Sequence, residues 1–330
     1  MKWPLLIGAL VGSIALPFGD ADAQALKPEQ IMRATLPDKP SPRAVAAKVQ
    51  ILLDRARFSP GVIDGRMGEN VEIALAAFRK AHQLDGPKKP IDEATLKRLA
   101  EVAREAEEPV VIEYKITEDD VKGPFTTTIP DGLEEQGTLD RLGYRGASEL
   151  LAEKFHMDED FLKELNPGKE FAKAGTAIMV ANVKSADPAQ RGSVKRIEVD
   201  KALKQLRAYG EGDKLLAVYP ATIGSAARPA PTGEHKVKGV ATNPDYTYNP
   251  EYKFEGVKTD KPFTIAPGPN NPVGSVWIEL SKDGYGIHGT PEPDVIGKSA
   301  SHGCVRLTNW DAGHLAAMVK PGVVVTFLGS

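Results

Sequence analysis

The stretch on which the reading turns is Ile287-His288-Gly289-Thr290, then ten residues, then Ser301-His302-Gly303-Cys304-Val305-Arg306-Leu307. Cys304 is the one cysteine in 330 residues, so the chain can form no internal disulfide and no thiolate-only metal site. A thiol at its ordinary pKa of about 8.5 is mostly un-ionised at neutral pH, so a nucleophilic cysteine needs a base beside it. Histidine can take and return that proton near pH 7. Two histidines qualify: His302, two residues before Cys304, and His288, at the end of a predicted strand; the residues themselves leave the choice open. Gly303-Cys304 reads as a turn whose N–H groups can converge on an oxyanion. Arg306 adds a fixed positive charge, suited to lowering a thiol pKa or holding a carboxylate. A metal site from His288, His302, His314 and Cys304 is the competing chemistry, but the spacings match no common zinc pattern and Arg306 would repel a dication. Structural histidines around an inert thiol are the plain alternative.

Around this stretch, residues 193–330 break into short β-prone runs: Val194–Val199, Leu206–Tyr209, Lys214–Thr222, Gly233–Val240, Val276–Leu280, Gly286–His288 and Gly322–Phe327. Gly, Pro, Asn and Asp clusters separate them, which predicts an all-β sandwich or barrel. Only Asn309–Met318 has a helical pattern. Residues 241–261 hold Tyr246, Tyr248, Tyr252 and Phe254 among Asn, Pro and Asp, and read either as a lid or as an aromatic-anchored surface loop.

The upstream residues differ in texture. Over 41–105, Val45, Val49, Leu52 and Leu53, then Ile73, Ala74, Ala77 and Phe78, then Leu96 and Leu99, recur at helical spacing. Between the first two helices lies the tight loop Ser59-Pro60-Gly61-Val62-Ile63-Asp64-Gly65-Arg66-Met67-Gly68. This pattern resembles the small three-helix peptidoglycan-binding domain, with Arg79 where a Gln is usual. The run Glu101–Glu108 is expected to be a solvated helix end. Val110–Ile116 and Ala177–Val183 read as strands, with helices at Ala147–Phe155 and Glu159–Leu165 stopped by Asn166-Pro167-Gly168. On Glu113-Tyr114-Lys115, Leu150-Leu151-Ala152-Glu153-Lys154-Phe155, Leu165-Asn166-Pro167-Gly168 and Ile178-Met179-Val180, the segment resembles a LysM domain, a β-α-α-β unit that binds N-acetylglucosamine polymers. It departs from that pattern by an insertion at 117–146. Asp187–Arg191 reads as a linker.

The signature His288-Gly289 with Ser301-His302-Gly303-Cys304-Val305-Arg306 resembles, without departure, that of the YkuD-type L,D-transpeptidases. Pro231-Thr232-Gly233, with Ala230 where a Thr is usual, and Pro267-Gly268-Pro269-Asn270-Asn271-Pro272-Val273-Gly274 extend the likeness over most of 194–328. The resemblance implies Cys304 as nucleophile, His288 as base, the Gly289 carbonyl orienting the imidazole, and N–H groups at Gly303 and Cys304 as oxyanion hole. Ser301, His302 and Arg306 would line the acyl-donor site, with Tyr285 on the same wall. It implies no cofactor and no metal. The implied substrate is the peptidoglycan tetrapeptide stem, with release of D-Ala through a thioester and a 3→3 cross-link, or transfer to another amine such as a lipoprotein lysine. Carbapenem acylation of Cys304 would follow. Hydrolysis by an endopeptidase or carboxypeptidase is the alternative, as is, in another class, a non-catalytic wall-binding protein.

The expected organisation is a signal peptide at 1–23, a helical peptidoglycan-binding-like domain at 24–109, a LysM-like module at 110–185 and a catalytic domain at 193–330: a multidomain α+β chain with a mostly-β catalytic part. Lys2, an uncharged apolar run from Trp3 to Phe18 and Ala21-Asp22-Ala23 read as a secretory signal, placing the protein in the periplasm. No other run approaches the roughly 18 apolar residues of a membrane span, so no stable insertion is expected. Net charge is −3, which gives no footprint for nucleic acid.

Overall fold

The structure is a computed structural model that describes residues 25–36, 38, 40–85, 91–183, 192–225, 228–252, 257–298 and 303–329. The expected signal segment, the linker at 187–191, Phe254 and two candidate site residues, Ser301 and His302, lie outside the described residues.

Nine α-helices and thirteen strands are found among the described residues. In chain order they are α1 (Pro28–Arg33), α2 (Pro42–Arg55), α3 (Glu69–Ala81), α4 (Glu93–Val102), β1 (Val111–Lys115), α5 (Glu118–Val121), α6 (Leu133–Gln136), α7 (Ala147–Lys154), α8 (Glu159–Leu165) and β2 (Ala177–Ala181). There follow β3 (Arg196–Asp200), β4 (Gln205–Tyr209), β5 (Leu215–Pro220), β6 (Thr222–Ile223), β7 (Gly233–Thr242), β8 (Tyr246–Tyr248), β9 (Phe263–Ile265), β10 (Val276–Leu280), β11 (Gly286–His288), β12 (Val305–Arg306), α9 (Asn309–Ala316) and β13 (Val324–Leu328).

Nine of these strands pair in the order β5-β4-β3-β13-β7-β10-β11-β12-β6. The ten-residue β7 is the corner. Its first part, Gly233–Lys236, pairs with β13, and its second, Val237–Thr242, with β10. The sheet thereby folds over itself, and side chains from both halves fill one core: Ile197, Leu206 and Val325 against Ile278, Ile287 and Val305, with Leu315 of α9. The two edge strands, β5 and β6, are separated only by Ala221, so the edges meet and the sheet is nearly closed. This is the mostly-β, sandwich-like architecture that the run-and-turn pattern predicts. β8 and β9 form a separate two-stranded ribbon within 241–265.

The upstream elements share a second core, in which Val49, Leu52 and Phe78 of the helical segment join Leu151, Phe161 and Ile178 of the segment after it. Gln50 of α2 organises the glycine-containing loop. Its Nε2 donates to Asp64 Oδ1 (2.8 Å), and its Oε1 accepts from the Gly65 N–H (2.8 Å). That loop pairs with the second segment through Ile63 and Met157. The loop's neighbour Phe58 pairs with Val218 of β5. Asn166 ties α8 to β2, donating to Met179 O (2.8 Å) and accepting from Met179 N–H (2.6 Å). The run at 101–108 is not merely solvated. Glu105 pairs with the buried Lys48 (2.6 Å), and the Glu108 carbonyl accepts from the buried Arg55 (2.8 Å).

A polar junction joins α9 to the upstream core. Ser59 Oγ donates to Asp311 Oδ2 (2.8 Å), Arg57 meets His314, and His156 pairs with Asp54 (2.8 Å) while stacking on Trp310. Burial, reinforced by the nearby Asp54, pushes the Asp311 carboxyl up to about 7 from 3.8. The folded protein therefore holds a proton that the unfolded chain loses near pH 4. Stability from this group is present at low pH and lost as pH rises toward and past 7. Asp311→Asn is expected to melt several degrees above wild type at pH 8, with the gap closing toward pH 4. A gap of equal size at both pH values would contradict this account.

Candidate active site

Strand pairing builds the site. β11 lies antiparallel to β10, which sets Trp277 opposite His288. β11 also lies parallel to β12, with Ile287 opposite Val305 and His288 opposite Arg306. Residues eighteen apart in sequence are thus brought side by side, and the Leu307 N–H donates to His288 O (2.8 Å) to extend the ladder. β12 in turn pairs with β6.

His288 is buried, and its Nδ1 lies 2.7 Å from the Gly289 carbonyl. A carbonyl can only accept, so Nδ1 carries the proton and Nε2 keeps its lone pair. Burial, with Arg306 adding repulsion, drops the imidazolium pKa to about 3, so the ring is neutral at physiological pH. Cys304 is half-buried, and its thiol reaches the Gly284 carbonyl at 3.8 Å. Burial pushes the thiol pKa up, while a Gly286 backbone hydrogen bond and the Arg306 charge pull it down less strongly. The resting pair is therefore a thiol and an imidazole, both uncharged. Burial also lowers the Arg306 pKa, against the pull of Glu292, Cys304 and Tyr246. Arg306 remains cationic, because a guanidinium starts from so high a value.

Gly303 has φ +105°, which strains any other residue. A Cβ there would lie 2.9 Å from the Tyr285 ring, so Tyr285 packs directly against the Gly303-Cys304 turn. Gly289 meets a different demand: a Cβ would fall 2.1 Å from Asn309 Oδ1. The structure thus brings Cys304, Gly303, His288, Gly289, Arg306 and Tyr285 together, with Ser301 and His302 outside the described residues. Among the described residues, no group of three or more His, Cys, Asp or Glu side chains is placed to hold a metal.

Sequence reasoning misses two neighbours, Trp277 and Glu292, and names a third, Tyr246, only as part of the 241–261 segment. Trp277 stacks on the imidazole (5.5 Å, 24°), in a space that Gly286 leaves open, since a Cβ there would lie 2.6 Å from the indole. Alternation along β10 was the available signal. Glu292 and Tyr246 act electrostatically on Arg306, and neither has a motif to mark it. Tyr246 sits on the β8–β9 ribbon, where Tyr248 is buried against Phe263 (5.0 Å).

The L,D-transpeptidase catalytic domain model, YkuD, matches residues 194–326. A Bacillus licheniformis protein named as the L,D-transpeptidase YkuD is 32% identical over 180 residues, 54% of this chain and 91% of that protein. An Escherichia coli K12 protein named as the L,D-transpeptidase YbiS is 30% identical over 188 residues, 54% of this chain and 59% of that protein, so the chain spans little more than half of that relative. An Enterococcus faecium L,D-transpeptidase crystal structure superposes with a TM-score of 0.32 at 20% identity, over 42% of this chain and 50% of that one. Among the described residues no helix is long and apolar enough to cross a membrane. With nine-tenths of the Bacillus licheniformis protein covered, and the matched catalytic-domain region holding the paired β11 and β12 that carry His288 and Arg306, the chain belongs to the YkuD family of L,D-transpeptidases.

Proposed function

We propose that this L,D-transpeptidase acts on peptidoglycan tetrapeptide stems through a Cys304 thioester, in the periplasm, after export on the sequence's N-terminal signal. The observation that carries this reading is the His288 tautomer: Nδ1–H is committed to Gly289 O at 2.7 Å, which leaves Nε2 able to take a proton. Cys304 Sγ attacks the carbonyl carbon of the diamino acid at position 3 as His288 Nε2 takes the thiol proton. The oxyanion draws on N–H groups of the Gly303-Cys304 turn. Collapse breaks the peptide bond, and the departing D-Ala amine takes the proton from His288, leaving a thioester and a neutral base. The amine of a second stem then attacks the thioester carbonyl, passes its proton to His288 and, on collapse, frees the Cys304 thiol with that proton. The product is a 3→3 cross-link. Arg306, with Glu292 and Tyr246 beside it, is suited to hold a donor carboxylate. Ser301 and His302 are assigned to the same donor site on their motif positions. The peptidoglycan-binding-like and LysM-like segments are proposed to hold glycan.

The test is mass spectrometry of the full mature chain with disaccharide-tetrapeptide, with and without an amine acceptor. A 3→3-joined dimer and a transient thioester on Cys304 are expected, and a carbapenem is expected to acylate the same residue. Tripeptide alone, unchanged by added amine, would make water the acceptor and the enzyme a hydrolase.

A further inference from the structure

The segment carrying α7 enters the active-site scaffold. Glu153 of α7 accepts from Asn309 Nδ2 through Oε2 (2.8 Å) and from the Tyr144 hydroxyl through Oε1 (2.7 Å). Its burial and the nearby Glu149 carboxylate oppose ionisation, which the Asn309 and Tyr144 donors partly offset. A carboxylate is costly to place there, and a simple packing role would be met by an apolar residue.

Asn309 is buried and wholly committed. Its Nδ2 donates to Glu153 and to Pro269 O (3.0 Å), and its Oδ1 accepts from the Ser275 N–H (3.0 Å). Turning the amide over would set its oxygen against the Glu153 carboxylate and the Pro269 carbonyl, so Glu153 joins Pro269 O and the Ser275 N–H in fixing which end faces which way, and it is the one side chain of the three. The end so fixed, Oδ1, lies in the space left by two glycines: a Cβ would fall 2.1 Å from it at Gly289 and 2.0 Å at Gly274. Gly289 is the residue whose carbonyl holds His288 Nδ1.

The segment is seated firmly enough to deliver Glu153 to one place. Leu142 N–H donates to Pro267 O (3.0 Å), and Leu142 O accepts from Asn270 N–H (2.9 Å). Asn270 Nδ2 donates to Gly143 O (2.9 Å). Gly268, at φ +147°, allows this approach, because a Cβ would lie 2.0 Å from Leu142 O.

We propose that Glu153 is a positioning residue for the transferase reaction: by locking Asn309 against Gly289 it sets the carbonyl that orients His288. The inference rests on the reading of His288 as base. It gives the LysM-like segment a part in turnover that is separate from any hold on the wall.

The test measures kcat and KM for disaccharide-tetrapeptide, with melting temperature as control, on full-length wild type, Glu153→Ala, Glu153→Gln and Tyr144→Phe. A loosened base costs kcat rather than binding, so Glu153→Ala is expected to lower kcat between about 10-fold and about 100-fold with KM held within about 2-fold. Glu153→Gln keeps an oxygen for Asn309 Nδ2 and is expected to restore kcat to within about 3-fold of wild type. Folded Glu153→Ala with wild-type kcat, or a loss that the Gln variant shares in full, would overturn the inference. If Glu153→Ala does not fold, the decision passes to Tyr144→Phe, which releases one oxygen of the carboxylate: a fall in kcat at constant KM supports the inference, and unchanged kcat overturns it. Wild type that forms no acyl-enzyme would sink the parent reading instead.

Discussion

Cys304→Ala is expected to end acyl transfer, lowering kcat at least about 10⁴-fold, because no other group can take over a covalent step. The fold is expected to survive, since the side chain is half-buried and its thiol makes a long contact to Gly284 O. Melting close to the wild-type temperature, with no D-Ala released and no thioester mass, is the predicted outcome. Cys304→Ser is expected to fail too, because a hydroxyl is far less acidic than a thiol and the imidazole beside it is a weak base. Measurable D-Ala release from Cys304→Ala would place the nucleophile elsewhere.

His288→Ala is expected to cost about 10²- to 10⁴-fold in kcat, the usual worth of a positioned general base. A second readout separates this role from that of a counter-ion. With the imidazolium pKa dropped to about 3 and the thiol pKa raised, the resting site holds no thiolate–imidazolium pair. Alkylation of wild-type Cys304 by iodoacetamide is therefore expected to be slow at pH 7 and to climb with pH through the thiol's own elevated pKa. The reagent needs only thiolate, so His288→Ala should leave that profile nearly unchanged while acyl transfer collapses. A fast plateau in wild type below pH 7, abolished by His288→Ala, would mean a preformed ion pair and would refute this picture. On the proposed reading, His288 is a buried base that is poor in isolation. It serves because the proton moves as the carbonyl is attacked, when negative charge passes to the oxyanion and not to bare sulfur.

Much of this arrangement could be read without coordinates. The strand Val276–Leu280 alternates between buried and half-buried positions, and Cys304 with a nearby histidine is a recognisable chemical demand. The residues did not choose between His288 and His302; the parallel pairing puts His288 opposite Arg306. Two-residue β12 and the three-residue β8 and β9 are too short to give a period, so they were illegible. The run at 101–108 reads as solvated because its partners, Lys48 and Arg55, lie on a helix buried on nearly every side. The insertion at 117–146 could be located but not interpreted. Its contacts, Leu142 to Pro267 and Glu134 to the Lys258 N–H (3.1 Å), cross more than a hundred residues. Glu153 was hidden for the same reason.

The parallel ladder between β11 and β12 has a consequence for how such a site can change. His288 and Arg306 are aligned by two backbone pairings, Ile287 with Val305 and His288 with Arg306, and not by the length of the crossover segment 291–298, which holds none of the groups proposed to react. The connection needs only to reach from one strand to its neighbour, so residues can be added or removed within it without shifting the reacting groups. Substrate choice and acyl-transfer geometry are in this sense separately inherited, and an exchanged crossover would alter what is bound while leaving the chemistry in register.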